Sequence, residues 1–207
     1  MLNSRGGIEC DLTVTRLGKQ HYYIVTGTGF RTHDFHWIKD HLPRGDQVTL
    51  IDVTEDHGTL VLMGPKARDI LAAVTGDPVD NARFPFATAR VLTIAGHNVR
   101  ALRVTYVGEL GWELHVPMAG VETVYDALMA AGGPVGLKLA GYRALESLRL
   151  EKGYRAWSSD ITPNDTPFEA GLGWAVKLKS ERNFMGRAAL EQKANQALRK
   201  MLVSFTT

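Results

Sequence analysis

The chain has 207 residues, 44% apolar and 22% charged, which is enough apolar material for a sizeable core in one large domain or two small ones. Its net charge of +2, from 24 basic and 22 acidic residues, is too balanced to point to nucleic acid or an anionic membrane surface as a partner. A single cysteine, Cys10, excludes an intrachain disulfide framework and a cysteine-cluster metal site, and with no stretch near the ~18 to 20 apolar residues of a membrane span, a cytoplasmic or organelle-matrix location is expected.

Residues 10 to 17 and 20 to 27, rich in Val, Thr, Tyr and Ile, read as two strands joined by a turn at Gly18-Lys19. From Gly29 to Leu42, Phe30, Phe35, Trp37, Ile38 and Leu42 recur at largely helical spacing until Pro43 and Gly45 end the pattern. Short strands are expected around Gln47 to Val53 and Gly58 to Met63. Pro65 then opens a helix that closes near Gly76. This β-β-α-β-β-α order has antiparallel neighbours and no series of long parallel crossovers, which predicts the α+β class, with antiparallel sheets and helices packed on one face. Pro78, Asn81 and Pro85 concentrate turn residues at 77 to 86, and the boundary between two subdomains, 1–80 and 81–207, is placed there.

Beyond that boundary, strands are expected near 87 to 95 and 97 to 105, then helices from about Gly120 to Ala131 and from Gly136 to Gly153. Residues 156 to 173 lose periodicity and fill with Ser, Asp, Asn and Pro, marking a long ordered loop or linker of the kind that often carries function. Trp174 to Leu178 reads as a strand, Asn183 to Ala197 as a helix and Lys200 to Phe205 as a last strand.

The segment Thr105 to Pro117 reads as strand, glycine-containing turn, strand. Tyr106 lies on its first arm, and Trp112, Leu114 and Val116 alternate with Glu113 and His115 on its second. Glu113 stands beside a turn whose two glycines let the backbone approach a ligand. An ionised carboxylate accepts two parallel N–H bonds, which matches the edge of a flat amidine-like heterocycle. Pattern alone equally allows a solvated hairpin in which Glu113 faces water.

The hairpin resembles the Tyr-x-Gly-Glu-x-Gly-x-Glu signature of the aminomethyltransferase family, which includes the T-protein of the glycine cleavage system and the folate-binding halves of dimethylglycine and sarcosine dehydrogenases. Arg5 to Leu12 is similar to that family's Gly-Gly-hydrophobic-x-Asp-Asp-Leu segment, and Gly141 to Tyr154 followed by Thr166 to Trp174 also agrees with its pattern. The resemblance spans nearly the whole chain in family order. It implies the aminomethyltransferase folate-binding fold, an N-terminally incomplete first subdomain, and a chain that stops before the family's C-terminal barrel. It also implies tetrahydrofolate as cofactor and a small methylamine-type substrate. FAD would lie only on a separate dehydrogenase domain of a parent protein, and a lipoyl protein would be the partner in the glycine cleavage alternative.

Residue by residue, the resemblance assigns Asp11 to the essential aspartate beside the folate nitrogens, positioning the amine and managing the charge of the transferred unit. It assigns Glu113 to the pterin-binding glutamate, and Tyr106 and Tyr154 to aromatics lining the same pocket. Thr26 falls where the family has Asn or Thr near the folate. From its strand context, the Asp11 carboxylate is expected to project from a largely buried surface, which raises a carboxylate's pKa. Arg143-Ala144-Leu145 and Gly153-Tyr154-Arg155 follow the dehydrogenase branch rather than the T-protein, so the expected function is methylene-tetrahydrofolate formation in a dimethylglycine or sarcosine dehydrogenase-like protein. The alternatives are a glycine cleavage aminomethyltransferase and a folate-binding module without turnover.

In the T-protein pattern an arginine stands where this chain has Leu145. Arg143 lies two residues away, ~200° around a helix, and leaves the charge partner of the folate tail open. Arg149 and Glu151 read as a structural ion pair. His33 and His36 share a helix face at i, i+3 spacing, but no Glu-x-x-His or His-x-x-x-His pattern accompanies them, so these histidines read as surface residues and no metal is expected.

Overall fold

Trp112, Leu114 and Val116 alternate with Glu113 and His115, and in the computed structural model, which describes residues 1–45 and 47–205, this alternation forms strand β6 (Gly111–Pro117) inside a four-stranded antiparallel sheet. The sheet order is β3 (His57–Met63), β6, β5 (His97–Leu102), β4 (Ala89–Ile94). Leu114 pairs with Leu60 on one side and Ala101 on the other, so apolar residues from adjacent strands meet on one face. Helices α2 (Ala67–Val74) and α3 (Val121–Gly132) cover that face. Each has the apolar stripe to do so: Ala67, Ile70, Leu71 and Val74 on α2, and Val121, Val124, Leu128 and Ala131 on α3, at three- and four-residue spacings. Helices on one face of an antiparallel sheet are the expected α+β arrangement.

The remaining elements are β1 (Leu12–Arg16), β2 (Tyr22–Thr26), α1 (Arg31–Asp40), α4 (Tyr142–Glu151) and α5 (Arg187–Lys193), with β1 and β2 forming a two-stranded sheet. The chain divides into two units that are both discontinuous in sequence. Unit 1 comprises Met1–Val14, Tyr23–Leu42 and Arg155–Thr207, and unit 2 comprises Thr15–Tyr22 and Pro43–Tyr154. Residues 77–86 form turns inside unit 2, where Arg90 donates to the Pro78 and Arg83 carbonyls and Arg68 donates to Asn81.

Unit 2 holds the larger core, built around the fully buried Trp112, Phe84, Leu71 and Leu92. Unit 1 has a smaller apolar cluster, Ile8, Ile161 and Ala170 with Leu2, Trp157 and Leu172 against it, and it relies correspondingly on hydrogen bonds. Trp157 Nε1 donates to the Ile8 carbonyl at 2.8 Å, and Ile8 N donates to the Asp165 carbonyl at 2.9 Å. The buried Asn3 amide donates to Glu9 at 2.8 Å and to the Pro163 carbonyl at 3.1 Å, while its oxygen accepts from the Arg5 and Gly7 amides at 3.0 Å. Asn3→Ala removes these four hydrogen bonds at once and is expected to cost ~1 to 3 kcal/mol in chemical denaturation, and Asn3→Asp, which sets a carboxylate against Glu9 and the Pro163 carbonyl, should cost at least as much.

Three expected strands do not form. Residues 48–53 run without a ladder partner and leave Val48 and Ile51 exposed, Trp174 lies in a 3-10 turn with its side chain in solvent, and Met201 to Phe205 is likewise unpaired and exposed. High β-propensity gains nothing without a neighbouring edge. Helix α4 starts at Tyr142, six residues later than its expected Gly136 start, because Gly136 takes a left-handed conformation (φ 86°) that ends the preceding turn.

Candidate functional site

Within unit 2, Glu113 points to the sheet face opposite the core, between Val61 of β3 and Leu102 of β5, with its side chain 23% exposed. Its Oε2 lies 3.7 Å from Nε2 of His115, the next residue on the same face, which is buried and has Nδ1 3.3 Å from Thr59 Oγ1. The carboxylate is therefore supported from behind and open in front.

Tyr106 departs from the expected strand. Strand β5 ends at Leu102, and residues 103–110 form a loop of bends leading into β6. In that loop the Tyr106 ring stacks on Tyr154, with centroids 6.4 Å apart and planes 24° from parallel. Tyr154 is placed by the end of α4. Gly153 adopts φ 65°, which lets the Tyr154 amide return to the Arg149 carbonyl at 2.9 Å. The buried Arg149 guanidinium donates to the Tyr154 carbonyl at 2.9 Å and pairs with Glu146, one helical turn back, rather than with Glu151 as the sequence suggests. Gly108 (φ 76°) brings the 103–110 loop against the Lys152 side chain, which occupies the space a Cβ would need. The tyrosine pair is thus held by backbone geometry at both of its ends, and it offers partly exposed ring faces to a flat ligand.

Within unit 1, Asp11 sits just before β1, outside the strand, and is exposed, which corrects the expectation of a largely buried position. Nearby protein mass still pushes its carboxyl above the ordinary range, an effect the N-terminal ammonium opposes and the Asp34 carboxylate reinforces. Thr26, the last residue of β2, donates its hydroxyl to Asp34 Oδ2.

Asp34 is the residue the sequence reading missed. It lies on α1 and is 2% exposed, with Oδ1 2.8 Å from His33 Nδ1. The signal was present in its spacing, four residues after Phe30 and four before Ile38, which puts an acid on an otherwise apolar helix face. His33 is not a plain surface residue. Its Nε2 lies 3.4 Å from Glu9 Oε1 and its ring tilts against Trp157 at 5.4 Å. Burial first, then the hydrogen bond to Asp34 and that residue's charge, push the Cys10 thiol up to about 12. Arg143, by contrast, is exposed on α4.

Comparison with known proteins identifies the family of the chain. Residues 1–180 match the GCVT N-terminal domain family. Sarcosine dehydrogenase, mitochondrial, from Homo sapiens is 47% identical over 220 residues that include 100% of this chain and 24% of that protein. Dimethylglycine dehydrogenase, mitochondrial, from Mus musculus is 36% identical over 207 residues, again 100% of this chain and 24% of the relative. The crystal structure of glycine cleavage system aminomethyltransferase T from Bartonella henselae superposes with a TM-score of 0.80 at 28% identity, covering 95% of this chain and 52% of that one. The chain spans about a quarter of the length of these two dehydrogenases. No helix among the described residues is long and apolar enough to cross a membrane. With its antiparallel sheets, its helix-covered core and its matching motifs, the chain belongs to the GCVT N-terminal domain family of aminomethyltransferase-like proteins, related to the sarcosine and dimethylglycine dehydrogenases.

Proposed function

We propose that this chain is a tetrahydrofolate-binding one-carbon transfer domain of the sarcosine or dimethylglycine dehydrogenase type, yielding methylene-tetrahydrofolate from a small methylamine donor. The observation that carries the proposal is that one unit holds both a half-open carboxylate backed by a buried histidine and a partly exposed tyrosine stack. These are the groups a pterin needs, a two-oxygen acceptor for its N–H edge and aromatic faces for its ring. Bound tetrahydrofolate would supply the nitrogens that receive the carbon.

In this reading Glu113 fixes the pterin edge, and Tyr106 and Tyr154 pack against the ring system. The role of Asp11, holding negative charge for the carbon that arrives as a cation, rests on its match to the family's motif. Thr26, at the family's Asn or Thr position near the folate, is held by its bond to Asp34. The donor amine would be oxidised on an FAD-bearing domain of a larger protein, in the mitochondrial matrix or the cytoplasm. The dehydrogenase branch is preferred to the glycine cleavage branch because identity to sarcosine dehydrogenase is 47%, against 37% to an aminomethyltransferase.

Glu113→Gln keeps the shape but removes one acceptor and the charge, and is expected to weaken tetrahydrofolate binding by ~1.5 to 3 kcal/mol with the fold unchanged. Titration calorimetry on the two proteins measures this directly. Equal affinities would reject Glu113 as the pterin anchor.

A further inference from the structure

Cys10, His33 and Asp34 bring a thiol sulfur, a ring nitrogen and a carboxylate oxygen to within 4.8 Å of one another. Two ligands of a tetrahedral zinc at bond lengths of ~2.0 to 2.3 Å stand ~3.3 to 3.8 Å apart, so side-chain rotations that bring the outermost pair in by about 1 Å close the set. We propose that these three residues, supported by Glu9 and Thr26, bind a borderline-soft divalent metal ion such as zinc.

The surrounding groups are arranged as supports for such ligands. The Asp34 carboxylate has three partners: Oδ2 accepts from the Thr26 hydroxyl, Oδ1 faces His33 Nδ1 at 2.8 Å, and the Cys10 thiol hydrogen-bonds to it as well. The ion would replace the proton between Oδ1 and Nδ1, leaving the Thr26 bond to fix the carboxylate's orientation. On the other edge of the imidazole, Nε2 lies 3.4 Å from Glu9 Oε1, a carboxylate–histidine–metal relay in which Glu9 fixes the tautomer that presents Nδ1 to the ion. Metal binding would release the thiol proton, and the ion would then balance the buried thiolate and carboxylate together. The His33 side chain is 40% exposed and gives the ion its entry. Three protein ligands leave a fourth position open to water or to a small anionic or amine ligand.

Cobalt(II) titration of the chain tests the site. A thiolate–cobalt bond gives near-ultraviolet charge-transfer absorption, and because the sequence has a single cysteine, such absorption reports Cys10 alone. The expected result is absorption that saturates at a single equivalent of cobalt and is displaced by zinc. Asp34→Asn could fail to fold, so the discriminating variants are the partly exposed His33 and Glu9. His33→Gln and Glu9→Gln should each weaken cobalt binding by about tenfold or more, with unchanged circular dichroism. No charge-transfer absorption would overturn the proposal, and so would an affinity that His33→Gln leaves unaltered, since the cysteine would then bind without the site around it.

Discussion

Asp11→Asn is expected to lower one-carbon transfer by ~100-fold or more, with tetrahydrofolate affinity changed much less. A carboxylate that balances charge developing on the transferred carbon contributes more in the transition state than in the bound ground state, and only that difference raises turnover. The exposure of Asp11 sharpens the test. An exposed aspartate can lose its charge with a stability change within about 0.5 kcal/mol, so a drop in turnover cannot be attributed to unfolding. The measurement is kcat and folate Kd in the same variant, with the amine donor and its partner components supplied. Proportional loss of affinity and turnover would make Asp11 a binding residue, and retained turnover in a protein that still binds folate would remove it from the chemistry.

The largest stability effect is expected at Trp112, whose replacement by alanine should cost ~3 to 5 kcal/mol in urea denaturation. Its fully buried ring packs edge-on against Phe84 at 6.0 Å and carries the Arg68 and Arg103 guanidinium groups at 5.5 and 5.8 Å. Its indole Nε1 is buried with no hydrogen-bond partner among the described residues. Trp112→Phe removes that unmatched donor along with part of the ring, and the two changes oppose each other. The phenylalanine variant should therefore lose under ~1.5 kcal/mol. Similar losses in the two variants would mean that the ring's volume contributes little to the core.

How much of this was legible in the sequence depended on whether a pattern had a partner. Strand β6 and helix α3 could be read directly, because alternation and three-to-four spacing each mark a face, and the faces they mark meet in one core. Val48 to Val53 and Met201 to Phe205 have comparable strand propensity but no edge to pair with, which is a property of topology and is invisible locally. The motif residues Glu113, Tyr106 and Tyr154 were readable, yet the stacking of the two tyrosines depends on Gly153 and Arg149 returning the chain at the end of α4. The group around Asp34 was missed for a related reason. Glu9 and Cys10 lie more than twenty residues before His33 and Asp34, and only the fold brings the two pairs together.

The discontinuity of unit 1 sets an order on biosynthesis. Trp157 donates to the Ile8 carbonyl across a separation of 149 residues, so at ~5 to 20 residues per second the N-terminal segment waits on the order of 10 to 30 s for its partner to emerge. During that time Leu2, Ile8 and the Asn3 amide have none of their contacts to residues 157–172 available, whereas most of unit 2, from Pro43 to Tyr154, is already made and can bury its core. The segment Met1–Val14 is thus made before most of unit 2 and ordered after it. Nascent chains arrested just after Tyr154 should accordingly present a protected four-stranded sheet together with a protease-sensitive segment at residues 1–14, which becomes protected once residues 155–172 have emerged.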